Sequence, residues 1–410
     1  MERRSARAAS RAGNGDATHS RSKPKPSRSS KVKGGVAGWV SAARPKTLTA
    51  ATVPFLVGSA LATSGGGEAR WMEATCALVG YFLIQIGTNL VNDACDFVRG
   101  ADTEVSDAPS NPASPNLEPS SHVFPNNHVF PKHPIAIHRH LPPPRLIPPP
   151  LLLLYSPDPT QDRAGPTRVT QSGVFSPRAV HIAGVTCFAL AALAMCPAVA
   201  LRGAPMARLV VAACGAGYAY TGGPLPLGYH GLGDVTVIAF FGFVATYGMA
   251  RVHHDGTSAD GSGGSSWERN GPLIVASAQV GSLATSLLAV NNLRDARTDA
   301  RCGKNTLCVL LGEGFGRWEI TFLVFAPFLL LPYWAWEGAR RLGVSMFPSV
   351  ASALPAATAP LAAWVAREAW MLRVGDTGFN GTLSAAAALH LLFGSALALG
   401  LALDGVTWRD

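Results

Sequence analysis

Spaced acidic residues end an apolar stretch in the segment QIGTNLVNDACDFVRGADTE, residues 85–104. The apolar run 71–91 leads into this segment, which suits a helix in lipid. Its polar side chains include Asn89, Asn92, Asp93 and Asp96, and Asp102 follows them. Because positions i, i+3, i+4 and i+7 share one face of a helix, the spacing predicts that these four side chains form a single stripe.

A second group with the same order of residue types lies in NNLRDARTDARCGKNTL, residues 291–307. Here Asn292, Asp295 and Asp299 repeat the i, i+3, i+7 arrangement, with Asn291 beside them. The two halves of the chain thus each contain an apolar segment that ends in asparagine followed by spaced acids.

Two facing acidic groups need cations, because carboxylates about 4 Å apart repel strongly in a site of low dielectric constant. Mg²⁺ takes oxygen ligands and bridges carboxylates to phosphates. Two such groups with Lys and Arg nearby suit a bound diphosphate, whose oxygens the metal neutralises. The alternative is that the acids are solvated helix ends, and the presence of two asparagine-led groups disfavours it.

The composition predicts a helical membrane protein in which these groups are held. Of the 410 residues 48% are hydrophobic and 14% are charged, against about 25% charged residues in soluble proteins. A crossing helix needs about 20 residues, and its backbone must be satisfied internally. Nine apolar segments meet or approach that length: 48–64, 73–92, 178–201, 206–221, 232–250, 272–292, 318–337, 347–371 and 383–403.

The nine segments predict an all-α polytopic fold with its motifs on one face of the membrane. The loops after the second, fourth, sixth and eighth segments then share a side with the N-terminus. Those loops carry more basic residues than the opposite loops, which agrees with a positive N-terminal side.

The net charge of +9 does not indicate a nucleic-acid-binding surface. Residues 1–38 hold ten Lys and Arg against two acids, and the remaining chain is almost balanced. This leader is rich in Ser, Arg and Ala and has no apolar core, which is typical of an organelle transit peptide. It indicates a plastid protein, or alternatively a mitochondrial one; a disordered cytosolic tail is the other interpretation.

Residues 105–163 are dense in proline and contain a small repeat at 122–125 and 128–131. So much proline excludes a regular helix or a central strand. We interpret this region as a disordered insertion or as translated intron sequence, in preference to a histidine-rich metal tract.

The motifs resemble those of the UbiA family of intramembrane prenyltransferases. Its NDxxDxxxD and DxxxD motifs match Asn92-Asp93-Asp96 and Asp295-Asp299. Four sequence motifs look like those of the MenA branch, the 1,4-dihydroxy-2-naphthoate prenyltransferases. They are ARPKTLTAATVPFLVG, RVTQSG, YAYTGGPLPLGYHGLGD and NNLRDARTDARCGKNTLCVLLG. The resemblance covers 39–104 and 164–403, which we predict to form one domain interrupted by the insertion.

The resemblance implies about nine transmembrane helices around a central cavity that opens to lipid. It implies Mg²⁺-dependent transfer of a polyprenyl or phytyl group from its diphosphate to the naphthoate ring, with loss of the ring carboxyl, giving a precursor of phylloquinone or menaquinone. The metal ligands implied are Asp93, Asp96, Asp295 and Asp299, oriented by Asn89, Asn92 and Asn292. The family's third acid of the first motif falls at Gly100, and this chain has Asp102 nearby.

Further residues are candidates for substrate binding, each with a structural alternative. Arg44, Lys46 and Lys304 are candidate diphosphate contacts, or cations that set topology at the membrane surface. Arg168 and Gln171 are candidates for the acceptor carboxylate, or anchors of their loop. Tyr218 and Tyr220 are candidates for cation–π stabilisation of an allylic cation, or members of an aromatic belt.

Other functions remain open at this level. A homogentisate or 4-hydroxybenzoate prenyltransferase, or a chlorophyll synthase, also carries paired aspartate motifs. A transporter is an alternative from another class, and it predicts acids near the middle of broken helices. The acids here lie at helix ends beside basic loops, which favours the enzyme.

Overall fold

The computed structural model describes residues 35–64, 69–99, 165, 168–254, 266–345 and 348–406. Lys46 and residues 266–269 are described by their backbone alone. Most of the predicted leader 1–38, the predicted insertion 105–163 and Asp102 lie outside the described residues, so those predictions stay as they are.

The described part of the chain folds into α-helices joined by short turns, with one isolated bridge between His230 and Asn305. The helices before residue 220 are α1 (Val36–Ala43), α2 (Thr49–Thr63), α3 (Trp71–Val98), α4 (Pro177–Ala194), α5 (Cys196–Arg202) and α6 (Ala204–Ala219). The predicted all-α fold is confirmed.

The second half begins with one continuous helical stretch whose middle is a π-helix. It comprises α7 (Gly233–Val237), the π-helical turns Ile238–Val244 and α8 (Ala245–His253). The helices that follow are α9 (Ser266–Arg301), α10 (Leu307–Leu311), α11 (Glu313–Leu329), α12 (Pro332–Leu342), α13 (Val350–Ala356), α14 (Ala359–Met371) and α15 (Phe379–Asp404).

Six helical stretches in the described residues are long and apolar enough to cross a membrane. They are Trp71–Val98, Pro177–Ala194, Gly233–His253, Asn270–Arg301, Glu313–Leu342 and Phe379–Asp404. The predicted first and fourth segments correspond to the shorter apolar helices α2 and α6. The chain is therefore a polytopic membrane protein, and nine as the number of crossings remains a prediction.

Three predicted segments are each divided between two helices. Segment 178–201 is interrupted at Met195, segment 318–337 between α11 and α12, and segment 347–371 between α13 and α14. Pro197, Pro332 and Pro360 lie in the first turn of the helix after each break. Proline lacks the backbone N–H that would continue the preceding helix, so it starts a new one.

The α9 helix lies at the centre of the bundle, and 78% of its most apolar 18-residue stretch is buried. It packs against α11, α15 and the π-helical turns. A Cβ atom added at Gly281 would lie 3.0 Å from the Cα of Gly242, so the two backbones touch at a pair of glycines. This contact holds the π-helical turns, and with them Phe240 and Phe241, beside a central cavity.

Candidate active site

The first acidic group lies on the last turns of α3 and is buried. The carboxylates belong to Asp93, 2% exposed, and Asp96, 1% exposed. Arg168 donates from Nη1 to Asp96 Oδ2 over 2.7 Å, and the Tyr229 hydroxyl donates to Asp96 Oδ1 over 2.7 Å. The Thr170 hydroxyl donates to Asp93. The RVTQSG segment therefore covers the end of α3 and satisfies its acids.

The second acidic group lies on the last turns of α9 and is also buried. The Arg294 guanidinium donates from Nε and Nη2 to the two carboxylate oxygens of Asp295, over 2.8 and 2.7 Å. Its Nη1 donates to Asn380 Oδ1 over 2.9 Å, which ties the pair to α15. Lys304 Nζ lies 3.5 Å from Asp299 Oδ1. Each acid of this group thus has a cation beside it.

Both acidic groups lie close enough to the Arg168 guanidinium to affect its pKa. Burial by itself lowers the pKa of the Arg168 guanidinium, but the carboxylates of Asp96, Asp93 and Asp295 hold that pKa above its ordinary value. Asp295 belongs to the second group, so its field reaches Arg168 on the first. The geometry agrees: the Tyr229 hydroxyl donates to Asp96 of the first group, and Lys304, which lies beside Asp299 of the second group, is 5.9 Å from the centroid of the same ring.

Tyr229 connects the two ends. Its ring lies under the guanidinium of Arg99, 4.9 Å from the centroid, and under the ammonium of Lys304, at 5.9 Å. Its carbonyl accepts from the backbone N–H of Asn305 over 3.1 Å. The loop after α6 is thereby fastened to the loop after α9.

An amphipathic cavity opens next to these helix ends, and its empty space of about 1340 Å³ includes the part that is open to the surroundings. Its polar side chains near the acidic groups are Arg44, Asn89, Asn92, Tyr220 and Asn291. The remainder is lined chiefly by apolar side chains of α3, α6, the π-helical turns, α8 and α9. The aspartates at 93, 96, 295 and 299 are not among the described lining residues; they lie on the same helix ends as the polar ones.

Arg44 is held at the polar end of the cavity by a left-handed backbone turn. It is the one residue other than glycine with positive φ, 51°, in the described part of the chain. The Thr47 N–H and hydroxyl both donate to the Arg44 carbonyl over 2.9 Å. The Thr47 hydroxyl accepts in turn from the amides of Asn89, at 3.2 Å, and Gln85, at 3.4 Å. Such a conformation persists where the surroundings enforce it, and here α3 does so.

The remaining predicted residues divide between the cavity and other surroundings. Tyr220 lines the cavity, whereas Tyr218 packs edge-on against His181 with ring centroids 5.9 Å apart. Asn292 is buried and Gln171 half-buried, and neither is among the described lining residues. The structure does not describe the Lys46 side chain.

Carboxylates and asparagine oxygens are the ligand types that Mg²⁺ prefers, so the donor set fits this ion in its chemistry. In the structure the carboxylates of Asp96, Asp295 and Asp299 are bonded to or beside cations. Among the described residues no three Asp, Glu, His or Cys side chains gather around one point. A metal held by these acids would need further ligands, and the oxygens of a diphosphate are of a suitable type.

Several contributing residues were missed at the level of sequence. Thr170 lies in the motif RVTQSG, and Tyr229 lies in YAYTGGPLPLGYHGLGD. The motifs mark these segments as important, but they do not show which side chain contacts the acids. Thr47 and Asn291 were adjacent to predicted residues. Arg294, beside the predicted residue Asp295, is 5% exposed and bonded to that aspartate.

The sequence matches the model of the UbiA prenyltransferase family over residues 158–378, more than half of the chain. It is 32% identical to the 1,4-dihydroxy-2-naphthoate octaprenyltransferase of Mycobacterium tuberculosis, over 68% of this chain and 70% of that protein. It is 29% identical to the Escherichia coli protein of the same name, over 67% and 68%. The UbiA prenyltransferase domain-containing protein 1 of Xenopus tropicalis is 25% identical over 90% of this chain and 82% of its own length.

Among solved structures, a UbiA homolog from Archaeoglobus fulgidus bound to GPP and Mg²⁺ superimposes with a TM-score of 0.49 and 12% identity. The superposition covers 88% of this chain and 99% of that one. On the family match and the similarity to the mycobacterial protein, this chain belongs to the UbiA prenyltransferase family and is a membrane-embedded prenyltransferase.

Proposed function

We propose that this enzyme transfers a prenyl or phytyl group from its diphosphate to 1,4-dihydroxy-2-naphthoate, with loss of the ring carboxyl. The observation that carries the proposal is the cavity, which has amide, guanidinium and phenol groups at one end, beside two buried acidic helix ends, and apolar walls elsewhere. A prenyl diphosphate has the same division of charge and apolar surface. The names of the bacterial relatives supply the choice of acceptor.

The diphosphate binds at the polar end in this proposal, and the prenyl chain extends along the apolar walls. Arg44 is a cation at that end, and its planar guanidinium suits phosphate oxygens. The side chains of Asn89 and Asn92 face the same space from α3. Lys304 lies beside Asp299 and contributes a further positive charge.

Mg²⁺ is the proposed cofactor, held by Asp93, Asp96, Asp295 and Asp299. When bound, it neutralises diphosphate oxygens and stabilises the negative charge that develops on the leaving group. The contact of Arg168 with Asp96 favours a positioning role for Arg168 over the predicted contact with the acceptor carboxylate.

The reaction breaks the bond between the allylic carbon and the diphosphate oxygen, and the electron pair leaves with diphosphate. The electron-rich ring carbon that bears the carboxylate attacks the allylic cation and forms the new carbon–carbon bond. Carbon dioxide then leaves, and the electrons of its bond to the ring restore aromaticity. Tyr220 lines the cavity, where its ring face stabilises the cation and the surrounding apolar walls exclude water.

The product of this reaction is a demethylated naphthoquinone precursor, as used for menaquinone or phylloquinone. The basic, acid-poor leader supports import into an organelle, and we propose a plastid membrane as the location.

The test is an acceptor panel with membranes that contain the full chain. 1,4-Dihydroxy-2-naphthoate, homogentisate and 4-hydroxybenzoate are each offered with geranylgeranyl and phytyl diphosphate, and products are identified by mass. We expect decarboxylated prenyl naphthoquinol from the first acceptor. Product from homogentisate or 4-hydroxybenzoate alone would overturn the choice of acceptor while leaving the enzyme class intact.

A further inference from the structure

The cavity has a depth that can be measured along the helices that line it. On α3 the lining residues run from Asn92 at the polar end to Tyr81, and on α6 from Tyr220 to Met206. At 1.5 Å per helical residue these positions span about 16 Å on α3 and about 21 Å on α6. The two helices therefore give a similar length for the cavity.

The deep end of the cavity is closed by packed side chains. Met206 is 2% exposed, and the Tyr81 hydroxyl donates to the Ala245 carbonyl over 2.8 Å, which joins α3 to α8 across this end. A Cβ atom added at Gly248 would lie 3.0 Å from the Tyr81 hydroxyl oxygen. Beyond this end, five residues are fully buried in one apolar cluster: Ala74 and Ala77 on α3, Ala198 on α5, and Met249 and Val252 on α8.

We infer that the cavity encloses a prenyl chain of no more than about four isoprene units, with Tyr81, Met206 and Gly248 as the residues that stop it. An extended carbon chain advances about 1.3 Å per bond, so an isoprene unit takes about 5 Å, and the cavity depth corresponds to three or four units. A chain of eight units needs about 40 Å and cannot be enclosed. The inference rests on the proposed function, because it assumes that the diphosphate lies at the polar end.

The first test measures donor selectivity in membranes that contain the full chain. Geranyl, farnesyl, geranylgeranyl and octaprenyl diphosphates compete for 1,4-dihydroxy-2-naphthoate, and the products are separated by mass. We expect kcat/KM for geranylgeranyl diphosphate to exceed that for octaprenyl diphosphate by about tenfold or more, because the closed deep end keeps the longer chain from lying along the apolar walls and the burial of its inner units is lost. Equal use of the two donors would overturn the inference.

The second test shortens the cavity from one wall. Ala213 lines the cavity on α6 seven residues from Tyr220, about 10 Å from the polar end. In Ala213→Phe we expect the ratio of geranyl to geranylgeranyl product to rise about tenfold. Gly248→Leu, at the deep end, should instead favour farnesyl over geranylgeranyl diphosphate.

The matched control is Ala212→Phe, because Ala212 is the neighbouring residue on the same helix, is exposed, and is not among the described lining residues. It should keep the wild-type product ratios. Variants are compared after their size-exclusion profiles in detergent show folded protein. An unchanged donor ratio in folded Ala213→Phe and Gly248→Leu would also overturn the inference.

Failure of the proposed function gives a different result. If 1,4-dihydroxy-2-naphthoate yields no product with any donor, the proposed acceptor is wrong. The limit on chain length is then tested by the thermal stabilisation of the protein on binding unreactive prenyl thiolodiphosphates. Greater stabilisation by the geranylgeranyl than by the octaprenyl analogue would support the limit. Equal stabilisation would overturn it.

Discussion

The Arg168 guanidinium donates to the Asp96 carboxylate over 2.7 Å, and both side chains are buried. This pair joins the segment that follows the predicted insertion to the end of α3. The acidic end of α3 therefore has its cationic partner 72 positions later in the chain. Whatever the intervening residues do, Arg168 must return to this position for Asp96 to be satisfied.

Arg168→Gln should lower both stability and activity. Removal of one partner leaves the Asp96 charge buried without its cation, which costs about 3–5 kcal/mol. We expect a lower midpoint of thermal unfolding in detergent and a fall in kcat of at least about tenfold, since Asp96 is a proposed metal ligand.

The matched control is Arg178→Gln, because Arg178 is an exposed arginine just after the same segment. It should behave as wild type. If Arg168→Gln unfolds at the wild-type temperature and turns over normally, the ion pair has neither of the proposed roles.

Tyr229→Phe should remove a pH-dependent part of the stability. Burial and the neighbouring Asp96 carboxylate raise the pKa of the Tyr229 phenol, so the folded protein holds this proton more tightly than the unfolded chain. The hydrogen bond to Asp96 contributes about 1.5–3 kcal/mol. Its contribution is complete below the ordinary tyrosine pKa of about 10 and is lost as pH rises through the higher pKa of the folded state.

The measurement is the difference in thermal unfolding midpoint between wild type and Tyr229→Phe as pH rises. We expect a constant difference from neutral pH to about pH 10 and a smaller difference above it. Tyr218→Phe is the control, because the Tyr218 ring packs against His181 instead. A difference that grows above pH 10 would contradict the assignment.

Thr47→Val should weaken binding of the prenyl diphosphate through the loss of hydrogen bonds that position Arg44. The Thr47 hydroxyl links the Arg44 carbonyl to the amides of Asn89 and Gln85. Without it, Arg44 is released from its left-handed turn, and we expect KM for the diphosphate to rise about tenfold with a smaller change in kcat.

Thr63→Val is the control for that prediction. The Thr63 hydroxyl donates to the Ser59 carbonyl within α2, so its loss affects one intrahelical bond. A change in kcat alone for Thr47→Val would point to a role in the chemical step instead of positioning.

Removal of divalent metal should abolish turnover, and added Mg²⁺ should restore it, if the four aspartates hold the ion with the diphosphate. Asp93→Asn and Asp295→Asn should each lower kcat by about 10²-fold or more, because a neutral amide binds Mg²⁺ less well. Asp376→Asn is the control: Asp376 is an exposed acid on a loop that contacts the end of α9 through Gly375. Full activity in the presence of a chelator would contradict the proposed cofactor.

Much of the fold was predictable because membrane crossing imposes a simple pattern on the chain. The long apolar segments such as 73–92 and 383–403 correspond to helices, since lipid leaves the backbone no other partners. The breaks at Met195, between α11 and α12 and between α13 and α14 were not predicted, because an apolar run continues through a helix break and hydropathy alone does not show one.

By itself, the sequence determined the residue types and their spacing: two asparagine-led acidic groups on helix ends, an apolar chain around them and the family to which they belong. The tertiary structure decided which partners those acids have. Arg168 and Tyr229 reach Asp96 from distant positions, and Tyr220, not Tyr218, lines the cavity. Helical periodicity places side chains on one face of one helix, whereas contacts between helices depend on the turns that orient them, and no local pattern encodes those.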